Sequence, residues 1–363
     1  MNIEMKKEEL LLVLSSSIGG IAWGSNVLII PLYFKSLGLN PLLIGEIISS
    51  SIIVGTLLSL FWSTLGDAYG RKKFIYISRG VSVIAYLFLL FTPFSYLFVN
   101  QGYGLISVLI AEKSKDLDKA LSYRSSLNIL FSVLGSLLPL FTSYRQIIIL
   151  DGSVILFSLL LLIPVPESYK GTGKISLRIT SFKLLGKLST EAIVGLGAGI
   201  LLPMMSLWFN LRFGVEASTL SPIYALSEIT LATGTLGAPL LSKTVGRVRA
   251  IFITHVIAII VLVLIPFSTS LIEAGTLYVI RNTLMNLTSP LMYSLIFSVV
   301  KEEERSRVDS FLQLLDAIPR SIGPTMTGYL FTLGGLNIPF FVTASLYSLS
   351  TVLFYFFFKD IKL

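Results

Sequence analysis

The chain has 363 residues, of which 54% are hydrophobic and 13% charged, and a formal net charge of +8. Soluble proteins carry about 25% charged residues, and a chain this apolar cannot bury its surface and still present a polar exterior to water. With no cysteine and a single histidine, His255, disulfide frameworks, thiolate or histidine-rich metal sites and cysteine nucleophiles are excluded, and a Ser-His-Asp triad is not expected.

The composition is that of a membrane protein, and stretches long enough to cross a bilayer as helices recur throughout. Twelve spans are predicted, at about 10–34, 42–65, 74–92, 94–111, 120–141, 146–163, 190–209, 220–241, 250–267, 271–299, 310–333 and 338–358. Strand-like alternation over ten residues is absent, so the expectation is an all-α polytopic protein and not a β-barrel. The opening MNIEMKKEEL lacks a cleavage signature, and the first span is expected to stay. Between the sixth and seventh spans, residues 167–187 read as a polar, basic cytoplasmic linker. They separate an N-terminal six-helix bundle, 1–166, from a C-terminal one, 188–363.

The basic residues test that count. If each span reverses the chain, 22 of the 28 Lys and Arg fall on the side of the amino terminus. Three (Lys35, Arg145 and Arg212) fall on the other side, and Arg79, Arg281 and Arg320 lie inside spans. A missed span would have scrambled this asymmetry, which places both termini in the cytoplasm of a cell-membrane protein. The positive charge follows from that topology and from anionic lipids of the inner leaflet, so no nucleic-acid partner is called for.

The chain also repeats. At an offset of 176, Tyr33 meets Phe209, Gly38 meets Gly214, Leu65 meets Leu241, Gly70 meets Gly246, Arg71 meets Arg247 and Lys73 meets Arg249. At 188, Lys119 meets Arg307, Ser122 meets Ser310, Asn128 meets Asp316 and Gly135 meets Gly323. Two parallel halves related by an axis along the membrane normal are expected. Gly20 and Gly24, and Gly195 and Gly199, are small-xxx-small pairs at matching points of the first span of each half, and they predict close helix contacts.

Twelve spans, two parallel halves and the loop STLGDAYGRKK after the second span resemble the major facilitator superfamily of secondary transporters. Leu65, Asp67, Gly70, Arg71 and Lys72 match its signature, while Ser63 and Ala68 depart from it. Gln101, Gly102 and Gly104 resemble the Q-G-x-G of the proton-antiporter motif, although its arginine is replaced by Phe98. Pro166-Glu167-Ser168 resembles the family's ending of the sixth helix. The resemblance implies that spans one, four, seven and ten line a central path, that two, five, eight and eleven flank it, and that the rest support them. It implies that Asp67, with Gly70, Arg71 and Lys72, latches the two halves on the cytoplasmic side.

Charged groups within spans cost about 2.5–3.5 kcal/mol each on insertion scales, so each needs a reason. Glu228, in the eighth span, is a candidate proton carrier, or else an ion-pair partner of Arg281 or Arg320. Arg281, followed by Asn282 and Asn286, sits in the tenth span with a kink expected at Pro290. Asp316 and Arg320 share one face of the eleventh span and can neutralise each other. Glu46 is expected towards the outer interface. Asn26, Gln101 and Asn128 add uncharged hydrogen-bonding groups, and Trp23 and Trp208 are candidate apolar walls or packing residues. Arg79 is expected to snorkel to the interface and His255 to be a satisfied interfacial histidine.

The functional expectation is an alternating-access secondary transporter of a small molecule, exporting amphipathic compounds with proton coupling. A proton-coupled importer or facilitator of a polar solute is the alternative, and a non-transporting receptor of the same fold is the reading from another class. No nucleotide motif or catalytic constellation is present, so no enzyme activity and no cofactor are expected. Expected partners are the small-molecule substrate, protons and membrane lipids, with the chain a monomer.

Overall fold

In hydrocarbon no water is available to a backbone N–H or C=O, so each span must close its own hydrogen bonds, which a helix does within one segment. The computed structural model describes residues 6–101, 103–114, 117–167, 182–289, 291–292 and 305–359. The first half contains α1 (Lys7–Ser17), α2 (Gly20–Ser36), α3 (Pro41–Tyr69), α4 (Arg71–Leu89), α5 (Tyr103–Lys113), α6 (Leu117–Leu137) and α7 (Tyr144–Leu160). The second contains α8 (Phe182–Leu201), α9 (Met205–Phe213), α10 (Ala217–Val245), α11 (Arg247–Leu264), α12 (Leu271–Asn286), α13 (Arg305–Thr332) and α14 (Ile338–Phe358). These helices fall in all twelve predicted spans, and among the described residues there is no strand. Most of the linker, Pro290 and the last part of the tenth span lie outside the described residues.

Five stretches are long and apolar enough to cross a membrane on those grounds alone: Lys7–Ser36, Pro41–Tyr69, Ala192–Phe213, Arg247–Phe267 and Ile338–Phe358. Others are shorter, as α7 is at 17 residues, or charged, as α4 is with Arg71, Lys72, Lys73 and Arg79.

Not all spans are single helices. The first is interrupted at Ile18–Gly19 between α1 and α2. The fourth begins as a 3-10 turn, Pro93–Phe98, and becomes α-helical only at Tyr103. The seventh tightens into a 3-10 turn at Leu202–Met204, where Pro203 removes a donor from the ladder. The tenth leaves the α-helix at Asn286 and turns through Leu287 and Thr288. The fifth and ninth spans end in 3-10 turns, at Leu138–Leu140 and Ile265–Phe267. Among the described residues the breaks away from span ends fall in spans one, four, seven and ten, whereas α3, α10, α13 and α14 run unbroken for 21 residues or more.

The chain divides into two compact units. The first comprises Met1–Tyr33, Ser50–Arg178 and Ala217–Ser221. Its apolar core joins Leu12 and Val13 of α1, Phe74 and Ile75 of α4, and Leu105, Ile106, Leu109 and Ile110 of α5. Within it α2 lies directly against α6. A Cβ on Gly20 would stand 2.3 Å from the carbonyl oxygen of Asn128, and one on Gly24 2.0 Å from that of Ser132. The Ser221 hydroxyl, from α10, donates to the Ser136 carbonyl.

The second unit comprises Phe34–Ser49, Ile179–Glu216 and Pro222–Leu363. Here α8 lies on α13 in the same way: a Cβ on Gly195 would meet the Asp316 carbonyl oxygen at 2.4 Å, and one on Gly199 that of Arg320 at 2.0 Å. Asp316 and Arg320 stand 188 positions after Asn128 and Ser132, so the repeat predicted from sequence is a repeat of contacts. The segment 34–49 is held in this unit by side-chain and backbone contacts. The Thr325 amide and hydroxyl donate to the Ser49 hydroxyl at 3.0 and 2.8 Å, and Lys35 donates to Asn210. Gly45 and Gly328 bring the Pro324 and Pro41 carbonyls within 2.2 Å of where a side chain would start.

Two glycine pairs of the repeat also share a backbone conformation. Gly38 and Gly214 have φ of 84° and 68°, Gly70 and Gly246 of 101° and 85°. A side chain is strained at such angles, so each pair marks the same turn in both halves.

A matched pair of substitutions tests the packing. Gly199→Ala drives a methyl into a backbone carbonyl and should cost about 1–3 kcal/mol. Gly80→Ala, on α4 with no atom within 4 Å of the new Cβ, should gain about 1 kcal/mol in helix propensity. Thermal unfolding in detergent should order them Gly80→Ala, wild type, Gly199→Ala.

Candidate functional site

The signature loop is built by two helix ends. Gly70 makes the turn from α3 to α4, and the first backbone N–H groups of α4 point at Glu167. Its Oε1 accepts from the amides of Arg71 and, at 3.1 Å, Lys72. A carboxylate there satisfies orphan donors and faces the positive end of the helix. The Lys72 Nζ donates to the carbonyls of Ile163 and Val165 at 3.1 and 2.6 Å, tying α4 to the segment that follows α7. Asp67 is exposed and takes Arg71 Nε and Nη2 at 3.0 and 2.9 Å on one carboxylate oxygen. The sequence motif therefore holds two jobs, an Asp67–Arg71 pair facing outward and a Lys72–Glu167 brace within the unit.

Inside the first unit, polar groups cluster where α2, α4 and α7 meet, in the first, third and sixth spans. Asn26 donates to the Tyr86 hydroxyl at 2.6 Å. One residue earlier, Ser25 donates to Asp151 Oδ2 at 2.7 Å, and Asp151 is wholly buried, with no hydrogen-bond partner for Oδ1. Sequence reasoning missed Asp151, although the test applied to Glu228, a carboxylate within a predicted span, would have found it. Two turns further along α7, Ser158 accepts from Arg79 at 2.6 Å, and the Ser15 carbonyl accepts from the same guanidinium at 3.2 Å. Arg79 is only 2% exposed. It does not snorkel, because the serines of α1 and α7 give its head a polar seat inside the bundle.

The remaining first-unit candidates are structural in their contacts. Gln101 accepts from Trp62 Nε1 at 2.9 Å and donates to the Phe98 carbonyl at 2.8 Å, pinning the break before α5 to α3. Asn128 donates to the Ser17 carbonyl at 3.3 Å, where the first span is interrupted. Trp23 is 59% exposed.

The second unit holds a cavity of about 290 Å³. Val194, Ala198 and Leu202 give it an apolar wall from the seventh span. Opposite stand His255 of α11, Arg281 and Asn286 of α12, Thr288 just beyond it, Gln313, Asp316 and Arg320 of α13, and Tyr347 of α14. Asp316 grips Arg320 with both oxygens, at 2.8 and 2.7 Å. Arg281 is 1% exposed; its Nη2 donates to the Tyr347 hydroxyl at 3.1 Å and its guanidinium lies 5.4 Å from that ring centre. His255 lines this cavity and faces Arg281 and the Met285 backbone.

Glu228 lies outside this group. Its neighbours on α10 bridge to α12: Asn282 donates to Ser227 at 2.7 Å, and Thr230 and Thr283 share a hydrogen bond of 2.8 Å. Asn286 in turn donates to Asn282. Glu228 itself is half-buried, and among the described residues it forms no ion pair with Arg281 or Arg320. Glu46 is exposed. Trp208 is no cavity wall: it is fully buried among Phe209, Phe213 and Phe340, with centroids 4.8 to 5.8 Å away. The structure thus gathers Arg281, Asn286, Asp316 and Arg320 and leaves Glu228, Glu46 and both tryptophans apart.

The description Major Facilitator Superfamily belongs to the family model that matches residues 12–324 and 188–362. No curated protein matches the sequence. Among solved structures, a variant of the nucleoside transporter NupG superposes with a TM-score of 0.78 at 13% identity, covering 97% of this chain and 100% of its own. A bacterial homolog to the human lysosomal transporter Spinster, inward-facing and unoccupied, gives 0.76 at 14%, covering 96% of each chain. A D-xylose–proton symporter gives 0.75 at 14%, with 97% and 98% covered.

The brace at the signature loop predicts its own loss. Glu167→Ala leaves the α4 amides without an acceptor and should destabilise the protein by about 1–2 kcal/mol. Glu167→Gln, which still accepts, should recover part of that in a melting experiment.

Proposed function

This chain belongs to the major facilitator superfamily, and on that premise we propose that it exports small amphipathic compounds across the cell membrane by alternating access, coupled to protons. Transport of a small molecule by a multi-pass, non-enzymatic membrane protein is the family's activity. Direction, substrate and coupling are our reading.

The observation that carries it is the pattern of interruptions. Among the described residues, the spans that break away from their ends are the first, fourth, seventh and tenth; the fifth and ninth only close in a 3-10 turn, at Leu138–Leu140 and Ile265–Phe267. A broken helix frees backbone groups that hydrocarbon cannot satisfy, so such breaks are tolerated only where protein or a water-filled path surrounds them. The two bundles, 1–166 and 188–363 joined through 167–187, would rock about that path with both termini in the cytoplasm. The Asp67–Arg71 pair supports a latch role for Asp67, because the carboxylate is exposed at the end of α3 and already engages a cation there.

Glu228 is our proton carrier. It is a mid-span carboxylate with no ion pair to Arg281 or Arg320, and the hydroxyls of Ser227 and Thr230 beside it are already engaged with α12. A carboxylate locked to arginine would stay charged through the cycle; one without that lock can take up and release a proton as its hydration changes.

Liposomes holding a pH-sensitive dye and a proton gradient, challenged with a panel of amphipathic compounds, test this reading. Wild type should show compound-triggered proton flux, and Glu228→Gln should lose it while retaining substrate exchange. Flux that survives in Glu228→Gln removes the carboxylate from the proton path. In the same assay Asp67→Asn should slow transport several-fold with substrate affinity unchanged; unaltered rates would end the latch assignment.

A further inference from the structure

Among the described residues, the lining of the cavity in the second unit carries one positive charge more than its own side chains neutralise. Asp316 is committed to Arg320 through both oxygens, so that pair sums to zero. Arg281 faces the neutral hydroxyl and ring of Tyr347 and His255, which adds no negative charge. Its Nε and Nη1 have no hydrogen-bond partner although the side chain is buried. Seven residues on, Thr288 lines the same cavity, is 1% exposed, and its hydroxyl also lacks a partner. Buried polar groups are nearly always hydrogen-bonded. Two unpaired ones on one wall, one of them a cation, describe a recognition surface.

We infer that Arg281 and Thr288 form a binding site for a small organic monoanion, built wholly from residues of the second unit. The free N–H groups of Arg281 and the Thr288 hydroxyl donate to a carboxylate, and charge-assisted bonds of this kind are the strong ones. Val194, Ala198 and Leu202 face the apolar body of the ligand. A volume of about 290 Å³ sits at the small end of ligand sites, about 300 Å³ upward. A single surplus charge selects a monoanion over a dianion, because a second negative charge would enter a low-dielectric space without a partner. The Asp316 carboxylate, which also lines the cavity, opposes binding, and the Asp316–Arg320 pair limits that repulsion.

The test is equilibrium binding of radiolabelled benzoate to the purified full-length protein in detergent, with acetate, inorganic phosphate and the uncharged isostere benzamide as competitors. Saturable binding is expected, displaced by acetate and untouched by benzamide. Arg281→Lys keeps the charge but loses the planar donor fan, and should weaken binding about tenfold; Arg281→Gln should abolish it. Thr288→Val should weaken it severalfold, and Asp316→Asn, which removes a negative charge from the lining, should tighten it. A purely structural role for these residues would not produce a gain. Melting temperatures for each variant separate lost binding from lost fold. Equal displacement by benzamide and acetate, or wild-type affinity in both Arg281→Lys and Thr288→Val, overturns the site. Displacement by phosphate stronger than by acetate overturns the monoanion assignment. No gradient or flux enters this assay, so its failure leaves the transport reading standing, and a failed transport assay leaves this site standing.

Discussion

A backbone amide in hydrocarbon has nowhere to place its hydrogen bond except on its own protein, and the architecture of this chain follows from that constraint. It makes every span a helix. It also makes each interruption costly, so an interruption is informative wherever one occurs. Ile18–Gly19, Val99–Gln101, Leu202–Met204 and Leu287–Thr288 are therefore, among the described residues, places where the chain forgoes regular α-helical hydrogen bonding within a span. Each has local support: the Ser17 carbonyl next to the first takes Asn128, and Gln101 at the second is held by Trp62 and the Phe98 carbonyl.

The same constraint explains the glycines. With every span a helix and lipid no less apolar than leucine, helices gain by approaching closely enough for dispersion to act between backbones, which needs positions without a side chain. Gly20 and Gly24 provide this on α2, Gly195 and Gly199 on α8. Helix content, span order and these contacts were legible in the sequence because hydropathy and small-residue spacing express one-dimensional constraints. The repeat was legible because Gly70 and Gly246 must adopt positive φ in equivalent turns, a demand on residue identity that drifts little between the halves.

Depth within a bundle was not legible in the same way. Arg79 looked interfacial because sequence position gives distance along a helix and says nothing of which face turns inward. Ser15 and Ser158, 143 residues apart, make the seat that keeps Arg79 inside, and no local pattern announces that pairing. Pairing preferences failed for a related reason. Glu228 and Arg281 are opposite charges on neighbouring helices, but Asn282 and Ser227 take the shared face and Arg281 turns to α14. Asp316 and Arg320 were readable because their partnership is local, one helical turn apart.

These placements divide the intramembrane charges into two kinds. Arg320 has a carboxylate on its own helix, and its charge is cancelled wherever that helix goes. Among the described residues, Asp151 and Arg281 hydrogen-bond to neutral partners, Ser25 for one and Tyr347 for the other. A self-paired charge moves with its helix and responds weakly to what surrounds it. A charge set among hydroxyls has no such insulation, and its free energy depends on the protons, ions and dipoles that reach it. The two kinds stand side by side in one cavity of the second unit, where the Asp316–Arg320 pair shapes the wall and Arg281 supplies the uncompensated field. In a protein whose activity is to move small molecules, the second kind is where chemistry from outside the chain can change the energy of the fold.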